Sequence, residues 1–130
     1  MSGYLYNEIT DKIIEAFYTV YNELGFGFLE NVYQNALILE LKNNGFKIEA
    51  QKSIDVYFKK DIVGNYKADL VVNDIIIIEL KAVERLIKEH EFQLINYLKA
   101  TNFEIGLLLN FGKEPEIRRK IFTNDRKRIQ

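Results

Sequence analysis

The chain has 130 residues, of which 48% are hydrophobic and 28% charged, and this length and composition indicate one soluble globular domain with a single core. It has no cysteine and one histidine, His90, which excludes disulfides, thiolate chemistry and a multi-histidine zinc site within one chain. The formal net charge of −1 argues against a sequence-independent coat on a polyanion.

The N-terminal segment lacks the basic start and apolar core of a signal peptide. The longest apolar runs in the chain are much shorter than a membrane-spanning helix requires. We therefore expect a cytoplasmic protein that makes no membrane contact.

Two helices are predicted in the first third of the chain. Residues 10–24 carry apolar side chains at helical spacing, and Gly25 stands where such a helix ends. A glycine-rich turn leads into a second helix over about residues 29–44, on which Glu30 and Tyr33 share a face. The first turn of a helix favours a carboxylate through the helix dipole, so the position of Glu30 also has an explanation without function.

The middle of the chain has the pattern of strands. Residues 46–58 alternate apolar and polar side chains, and a turn at residues 59–61 leads on to the sequence KADLVVNDIIIIELK of residues 67–81. This stretch predicts two apolar strands joined by a turn, interrupted by Asp69, Glu79 and Lys81. Because charges in buried strands are costly unless they are paired or bind a metal ion, these three residues are the strongest candidates for a site.

The length of the turn decides whether these side chains meet. Directly opposed residues of an antiparallel pair share a face of the sheet. Asp69 faces Glu79 if the loop has three residues, 73–75, or two residues and a bulge, whereas a plain two-residue turn separates them. Lys81 lies two residues beyond Glu79 and shares its face. We therefore predict the longer loop.

The chemistry of the three residues has two interpretations. Facing carboxylates repel each other unless a cation lies between them, and oxygen ligands suit Mg²⁺, Mn²⁺ or Ca²⁺. Lys81 would then hold a water or offset charge that builds up on a phosphate. The alternative is an ordinary ion pair of Lys81 with Glu79 or Asp69 at a strand end, and a motif this short does not decide between them.

A third helix is predicted over residues 89–101, with its core side formed by Phe92, Leu94, Ile95 and Leu98. His90, Gln93 and Tyr97 are spaced three and four residues apart and form a polar stripe beside that core side. Such a stripe is more typical of a helix–sheet border with satisfied hydrogen bonds than of a site.

The last strand is predicted over residues 105–111, parallel to the strand that ends at Lys81, because a helix separates the two. Residues 114–122 predict a short helix with Pro115 in its first turn. The whole is an α/β fold in one domain over residues 1–130, with a central mixed four-stranded sheet, an antiparallel meander plus one parallel strand, flanked by helices. Residues 113–130 carry seven Lys or Arg against three Asp or Glu, so the tail over 122–130 either contacts phosphate or is a frayed terminus.

This order of elements, with acidic residues on the central strands, resembles the PD-(D/E)XK nuclease superfamily and within it the GxxExxY family of small proteins. The sequence GFLENVY of residues 27–33 matches the naming motif of that family in full. Asp69 resembles the first acidic residue of the superfamily, and Glu79, Leu80 and Lys81 resemble its (D/E)XK. The sequence QLINY of residues 93–97 is similar to the QxxxY motif of the branch that includes RecB-type exonucleases.

The resemblance covers about residues 8–122, and His90 and the LLNFG of residues 108–112 are also similar to this family. Ala68 stands where the superfamily name has proline. The similarity implies a restriction-endonuclease-like core and a Mg²⁺- or Mn²⁺-dependent nuclease that hydrolyses phosphodiester bonds, with DNA as its expected partner.

The resemblance also implies roles for individual residues. Asp69, Glu79 and the Leu80 carbonyl would ligate the metal ion, with Glu30 reaching it directly or through water. Lys81 would position the attacking water or help to deprotonate it.

The remaining residues implied by the resemblance support the site. Gln93 and Tyr97 would orient the nucleic-acid backbone or the groups around the metal ligands. Tyr33 and His90 are placed with them as substrate-contacting or supporting residues, and core packing is an equal alternative for His90.

Two other functions compete with a nuclease. The first is a module that keeps the nuclease fold and binds nucleic acid or protein without cleavage, because a small chain that is not basic has little surface for wrapping DNA. The second is a domain whose carboxylates only form ion pairs. A homodimer would allow a nuclease to make two cuts in a duplex, and its interface would need to bury about 600–1,000 Å² of surface per partner.

Overall fold

The computed structural model describes residues 6–127, which form helices packed against one sheet. In chain order they are α1 (Asn7–Leu24), α2 (Glu30–Asn43), β1 (Ile48–Phe58), β2 (Asp61–Val72), β3 (Ile76–Lys81), α3 (Lys88–Ala100), β4 (Ile105–Phe111), β5 (Pro115–Ile121) and a 3₁₀ turn (Asn124–Arg126). The first three helices predicted from the sequence are therefore present, and their ends differ from the prediction by at most three residues.

The five strands form one mixed sheet in the order β1-β2-β3-β4-β5. β1, β2 and β3 are antiparallel neighbours, β3 and β4 are parallel, and β5 runs antiparallel to β4. α3 connects the two parallel strands, so the crossover predicted from the sequence is confirmed. β3 lies at the centre of the sheet with strands on both sides.

Two apolar clusters cover the two faces of the sheet. The larger cluster joins α1 and α2 to one face, through residues such as Phe17, Leu37 and Ile78. The smaller cluster joins α3 to the other face, through Leu94, Leu98 and Ile77. Phe92, predicted to lie on the core side of α3, is instead 57% exposed. The helices therefore flank the sheet, as the fold prediction required, with α1 and α2 on one face and α3 on the other.

The predicted four-stranded sheet and the predicted helix over residues 114–122 are both wrong, and for one reason. Pro115–Ile121 form the fifth strand, in register with all seven residues of β4. Every residue of β4 is buried, so a free edge there would leave its backbone groups without partners. The seven-residue ladder satisfies those groups, whereas a proline in the first turn of a helix is only a local preference.

The basic segment after β5 makes defined contacts as far as the structure describes it. Lys127 donates from Nζ to the carbonyls of Thr101 and Phe103, at 2.9 and 2.6 Å. Residues 122–127 are thus attached to the end of α3, and the final three residues of the tail lie outside the described residues. Burial lowers the pKa of Lys127 to about 8.

None of the helices within residues 6–127 combines the length and the apolar character that a membrane crossing needs.

The loop that follows β3 is held by a buried amide on β4. Asn110 accepts from the backbone N–H of Val83 at 3.0 Å and donates to the carbonyl of the same residue at 2.9 Å. Gly112 passes so close to this loop that an added Cβ would collide with the carbonyl oxygen of Val83 and lie 3.0 Å from that of Glu84. The close approach requires glycine, and it fixes the chain that leaves the end of β3.

Gly112→Ala should therefore destabilise the protein by about 1–3 kcal/mol, the usual cost of forcing extra volume into a packed site. The measurement is the midpoint of urea unfolding. Gly64→Ala is the matched control, because a Cβ at Gly64 meets no atom within 4 Å. Equal midpoints for the two variants would contradict the assigned role of Gly112.

Candidate active site

The site is built where β2 and β3 separate. The loop between the two strands has three residues, 73–75, and the ladder pairs Leu70 with Ile78 and Val72 with Ile76. The longer loop predicted from the sequence is therefore confirmed. Continuing this register by one residue sets Asp69 opposite Glu79, beyond the last pair of the ladder.

Asp69 and Glu79 replace the ladder with bonds from their own side chains. Asp69 Oδ2 accepts from the backbone N–H of Leu80 at 2.8 Å, and Glu79 Oε1 accepts from the backbone N–H of Asp69 at 3.3 Å. Each carboxylate thus satisfies a backbone donor of the opposite strand at the point where the strands diverge. Burial raises the pKa of Glu79 to about 7, and the charge of Asp69 adds to that effect.

Tyr66, which the sequence analysis did not single out, is the closest partner of Glu79. Its hydroxyl donates a hydrogen bond to Glu79 Oε1. Tyr66 is only 4% exposed, and burial raises the pKa of its phenol, with the charge of Glu79 acting in the same direction. A tyrosine on an apolar strand has no sequence signal that separates it from a core residue, and only the fold brings it to Glu79.

Tyr66 also connects the site to α3. Its ring stacks on that of Tyr97, with centroids 3.5 Å apart and an angle of 14° between the rings. The hydroxyl of Tyr97 accepts from the side-chain amide of Gln93 at 3.3 Å. Tyr66 therefore links Glu79 to Tyr97 and Gln93, the two residues of α3 that were predicted from the sequence. Gln93 and Tyr97 lie in a surface groove of about 540 Å³ that His90 also lines.

A second residue absent from the sequence prediction, Gln51 of β1, contacts Asp69. Its side-chain amide donates to Asp69 Oδ1 at 3.3 Å and to Gln34 Oε1 of α2 at 2.9 Å. The backbone of Gln51 has φ of 52°, in the left-handed region. Neighbouring residues of β2 change face at this level, since Tyr66 and Ala68 pack toward α3 whereas Leu70 and Val72 pack toward α1 and α2. Asp69 sits at this change of face, which directs its carboxylate toward β3.

Glu30 and Lys81 lie within electrostatic reach of the carboxylate pair. Glu30 is the first residue of α2, and burial raises its pKa, followed by the negative charge of Asp69. Lys81 opposes these shifts in both Glu30 and Glu79. Within residues 6–127, no ion pair of Lys81 with a carboxylate lies within 4.0 Å. The simple strand-end ion pair considered from the sequence is therefore not formed.

Tyr33 and His90 occupy supporting positions. Tyr33 is fully buried; its hydroxyl donates to the carbonyl of Gly25 at 2.6 Å and accepts from the backbone N–H of Phe28 at 3.2 Å. It therefore holds the turn that leads to Glu30. His90 Nδ1 accepts from the backbone N–H of Ile87 at 3.1 Å, which caps the start of α3.

The donor set can be compared with what a divalent cation requires. Among the described residues, no group of three Asp, Glu, His or Cys side chains is arranged closely enough to hold a metal ion by itself. Mg²⁺, however, is commonly bound through one or two carboxylates, waters and substrate phosphates. Asp69 and Glu79, with the neighbouring Leu80 carbonyl, supply oxygen donors of that kind. These residues therefore fit a hard cation whose coordination is completed by water and substrate.

Comparison with known proteins gives one family. A family model described as the PD-(D/E)XK nuclease superfamily matches residues 7–120. Members of this superfamily generally use divalent metal ions. Searches of curated proteins and of solved structures return no match.

The raised pKa of Glu79 predicts an unusual pH dependence of stability in EDTA. The folded protein keeps a proton on Glu79 up to about pH 7, whereas the unfolded chain releases it near 4.5. The free energy of unfolding should therefore fall as the pH rises from about 4.5 to 7, by up to about 3 kcal/mol. Glu79→Gln should lose this dependence and be more stable than wild type at pH 8. Denaturant unfolding across this pH range measures both effects.

Two further variants make this measurement specific. Tyr66→Phe removes a hydrogen bond that favours the charged carboxylate and so raises the folded-state pKa of Glu79, and the decline should begin at the same pH and continue to higher pH than in wild type. Glu84→Gln changes an exposed carboxyl and should retain the wild-type profile. A wild-type profile in Glu79→Gln would contradict the assignment.

Proposed function

The chain belongs to the PD-(D/E)XK nuclease superfamily, and on that premise we propose that it is a metal-dependent nuclease that hydrolyses phosphodiester bonds in DNA. The observation that carries this proposal is the pair formed by Asp69 and Glu79 at the opening of the β2–β3 ladder. Two carboxylates in one half-buried place are costly unless a cation compensates them, and this cost is reflected in the raised pKa of Glu79.

Within the superfamily, we propose that the chain is a member of the GxxExxY family and of the branch with the QxxxY motif that includes RecB-type exonucleases. The support is the position of the two motifs. The first spans the turn and the start of α2, where Tyr33 holds the chain before Glu30. The second lies on α3, where Gln93 and Tyr97 share a hydrogen bond and Tyr97 stacks on Tyr66.

The proposed ligands of a Mg²⁺ or Mn²⁺ ion are Asp69, Glu79 and the Leu80 carbonyl, with Glu30 contributing directly or through a water. When bound, such an ion lowers the pKa of a water and polarises the scissile phosphate. The bonds from Leu80 to Asp69 and from Tyr66 to Glu79 orient the two carboxylates before substrate arrives. This preorganisation is the main contribution of the chain itself.

Lys81 is proposed to hold the attacking water and to assist its deprotonation. Its charge lowers the pKa of both Glu30 and Glu79, and this supports a role beside the two carboxylates. An ammonium group that is not engaged with a carboxylate retains its donors for a water or a phosphate oxygen. Gln93 and Tyr97 are proposed to orient the nucleic-acid backbone from α3, with His90 fixing the start of that helix and Tyr33 fixing the start of α2.

A second candidate function is a nucleic-acid-binding or protein-binding module without significant cleavage. One observation favours it: both carboxylates are already engaged in hydrogen bonds within the protein, through Leu80, Tyr66 and Gln51. A cytoplasmic location and a homodimer are further proposals from the sequence.

A metal-dependent melt tests the proposed cation site. Millimolar Mg²⁺ or Mn²⁺ at a site with Kd of ~0.1 mM should stabilise the wild type by about 1.4 kcal/mol relative to EDTA. Asp69→Asn keeps an acceptor for Leu80 but loses the charge, so this metal-induced shift should disappear. Asp55→Asn changes an exposed carboxylate of β1 and should keep the shift. A full shift in Asp69→Asn would contradict the ligand assignment.

A cleavage assay tests the role of Lys81. Lys81→Met keeps the aliphatic stem but removes the ammonium group, and should lower the rate of DNA cleavage about 10²–10⁴-fold, the usual contribution of proton-transfer catalysis. Single-turnover rates on labelled DNA provide the measurement. Lys42→Met, an exposed residue at the end of α2, is the control and should cleave at the wild-type rate. Cleavage by Lys81→Met at the wild-type rate would remove Lys81 from the mechanism.

A further inference from the structure

We propose that a basic, aromatic groove at the C-terminal end of α3 binds a single strand of nucleic acid and leads it to the candidate active site. The groove has a volume of about 590 Å³ and lies where three parts of the chain meet. Its lining consists of residues 57–59 at the end of β1, Lys99 and Ala100 of α3, and Phe122, Arg126 and Lys127 after β5. The inference rests on the proposed nuclease function, because it names the form of substrate that the protein would hold.

The charge of the groove differs from that of the whole chain. Four of its eight lining residues are cationic and none is acidic, whereas the chain has a net charge of −1. Among the described residues, Lys59, Lys99 and Arg126 form no ion pair within 4.0 Å. Glu104 raises the pKa of Lys127, against the larger effect of burial. Three cations are thus available to phosphates.

The cations are held over aromatic rings. Lys59 Nζ lies 5.5 Å from the centroid of the Phe58 ring. Lys99 Nζ and the guanidinium of Arg126 lie 5.5 and 4.6 Å from the centroid of the Phe122 ring. Aromatic rings that alternate with cations are the arrangement by which proteins bind single-stranded nucleic acid, because bases stack on the rings while the cations contact the phosphates.

The exposure of the aromatic side chains favours a single strand over a duplex. Phe58 is 62% exposed and Tyr57 is 37% exposed, at the end of the β1–β2 hairpin. The faces of bases inside a duplex are covered by their neighbours, whereas an unpaired strand offers them to an aromatic ring. Phe58 and Tyr57 are therefore suited to unstacked bases.

The groove and the carboxylates are connected by the same elements. Tyr97, which stacks on Tyr66, precedes Ala100 by three residues, or about 4.5 Å along α3. Gln51, which contacts Asp69, precedes Tyr57 by six residues of β1, or about 20 Å. A nucleic-acid strand that occupies both places therefore extends over about 20 Å along β1.

The test uses fluorescence anisotropy in EDTA with a labelled oligothymidylate of about twelve nucleotides as the probe. The double variant Lys99→Gln and Arg126→Gln should bind at least about 10-fold more weakly, and the slope of log K against log salt should fall by about 1.4, or 0.7 for each lost phosphate contact. Phe58→Ala should weaken binding by about 10-fold, with little change in that slope. The wild type should bind the single strand more tightly than a duplex of equal length.

The matched control removes the same charge elsewhere. Lys12→Gln and Lys42→Gln change exposed lysines of α1 and α2, which cover the opposite face of the sheet. This double variant should bind within about twofold of wild type. The proposal would be overturned if both double variants bound equally weakly, if the wild type bound duplex as tightly as single strand, or if the wild type did not bind. Thermal melts of every variant establish that the fold is intact.

The outcome is separable from that of the proposed function. If the wild type cleaves DNA and the groove variants bind and cleave as the wild type does, the groove proposal is rejected and the nuclease proposal is kept. If the wild type binds through the groove but does not cleave in Mg²⁺ or Mn²⁺, the groove proposal is kept and the nuclease proposal is rejected.

Discussion

The exchange of hydrogen bonds between Asp69 and Glu79 is the constraint on which the site depends. Where β2 and β3 diverge, the backbone donors of Asp69 and Leu80 would lose their partners, and a buried donor without a partner costs about 1–3 kcal/mol. The two carboxylates accept those donors instead. Replacing either carboxylate therefore affects both the charge of the site and the junction of two central strands, so the proposed function and the local fold depend on the same atoms.

Supporting residues follow from that constraint. A charge placed on a half-buried strand needs hydrogen-bond donors around it, and the structure supplies side-chain donors from β1 and β2. Tyr66 of β2 donates to Glu79, and Gln51 of β1 donates to Asp69. The stack of Tyr66 on Tyr97 extends the network to α3. A displacement of α3 would therefore act on Glu79 through the stack of Tyr97 on Tyr66, although α3 and Glu79 belong to different layers of the fold.

The residues that carry charge or helical spacing could be predicted from the sequence, and those that act only through the fold could not. The three-residue loop followed from the requirement that Asp69 and Glu79 share a face, and the parallel strand followed from the intervening helix. β5 was missed because Pro115 indicates a helix start locally, whereas the open edge of β4 is a property of the assembled sheet. Tyr66 and Gln51 were missed because their roles depend on a change of face in β1 and β2 that simple alternation excludes.

The proposed binding of nucleic acid by a nearly neutral chain depends on how its charge is distributed. Acidic groups are concentrated at the opening of β2 and β3, where they repel a phosphate unless a cation is present. Basic groups are concentrated in the groove at the C-terminal end of α3, where Lys99 and Arg126 lie over the ring of Phe122. The net charge averages these two regions and so conceals both. Long-range attraction would act at the groove, whereas the carboxylates would admit a phosphate only together with a metal ion, which separates binding from cleavage within one small domain.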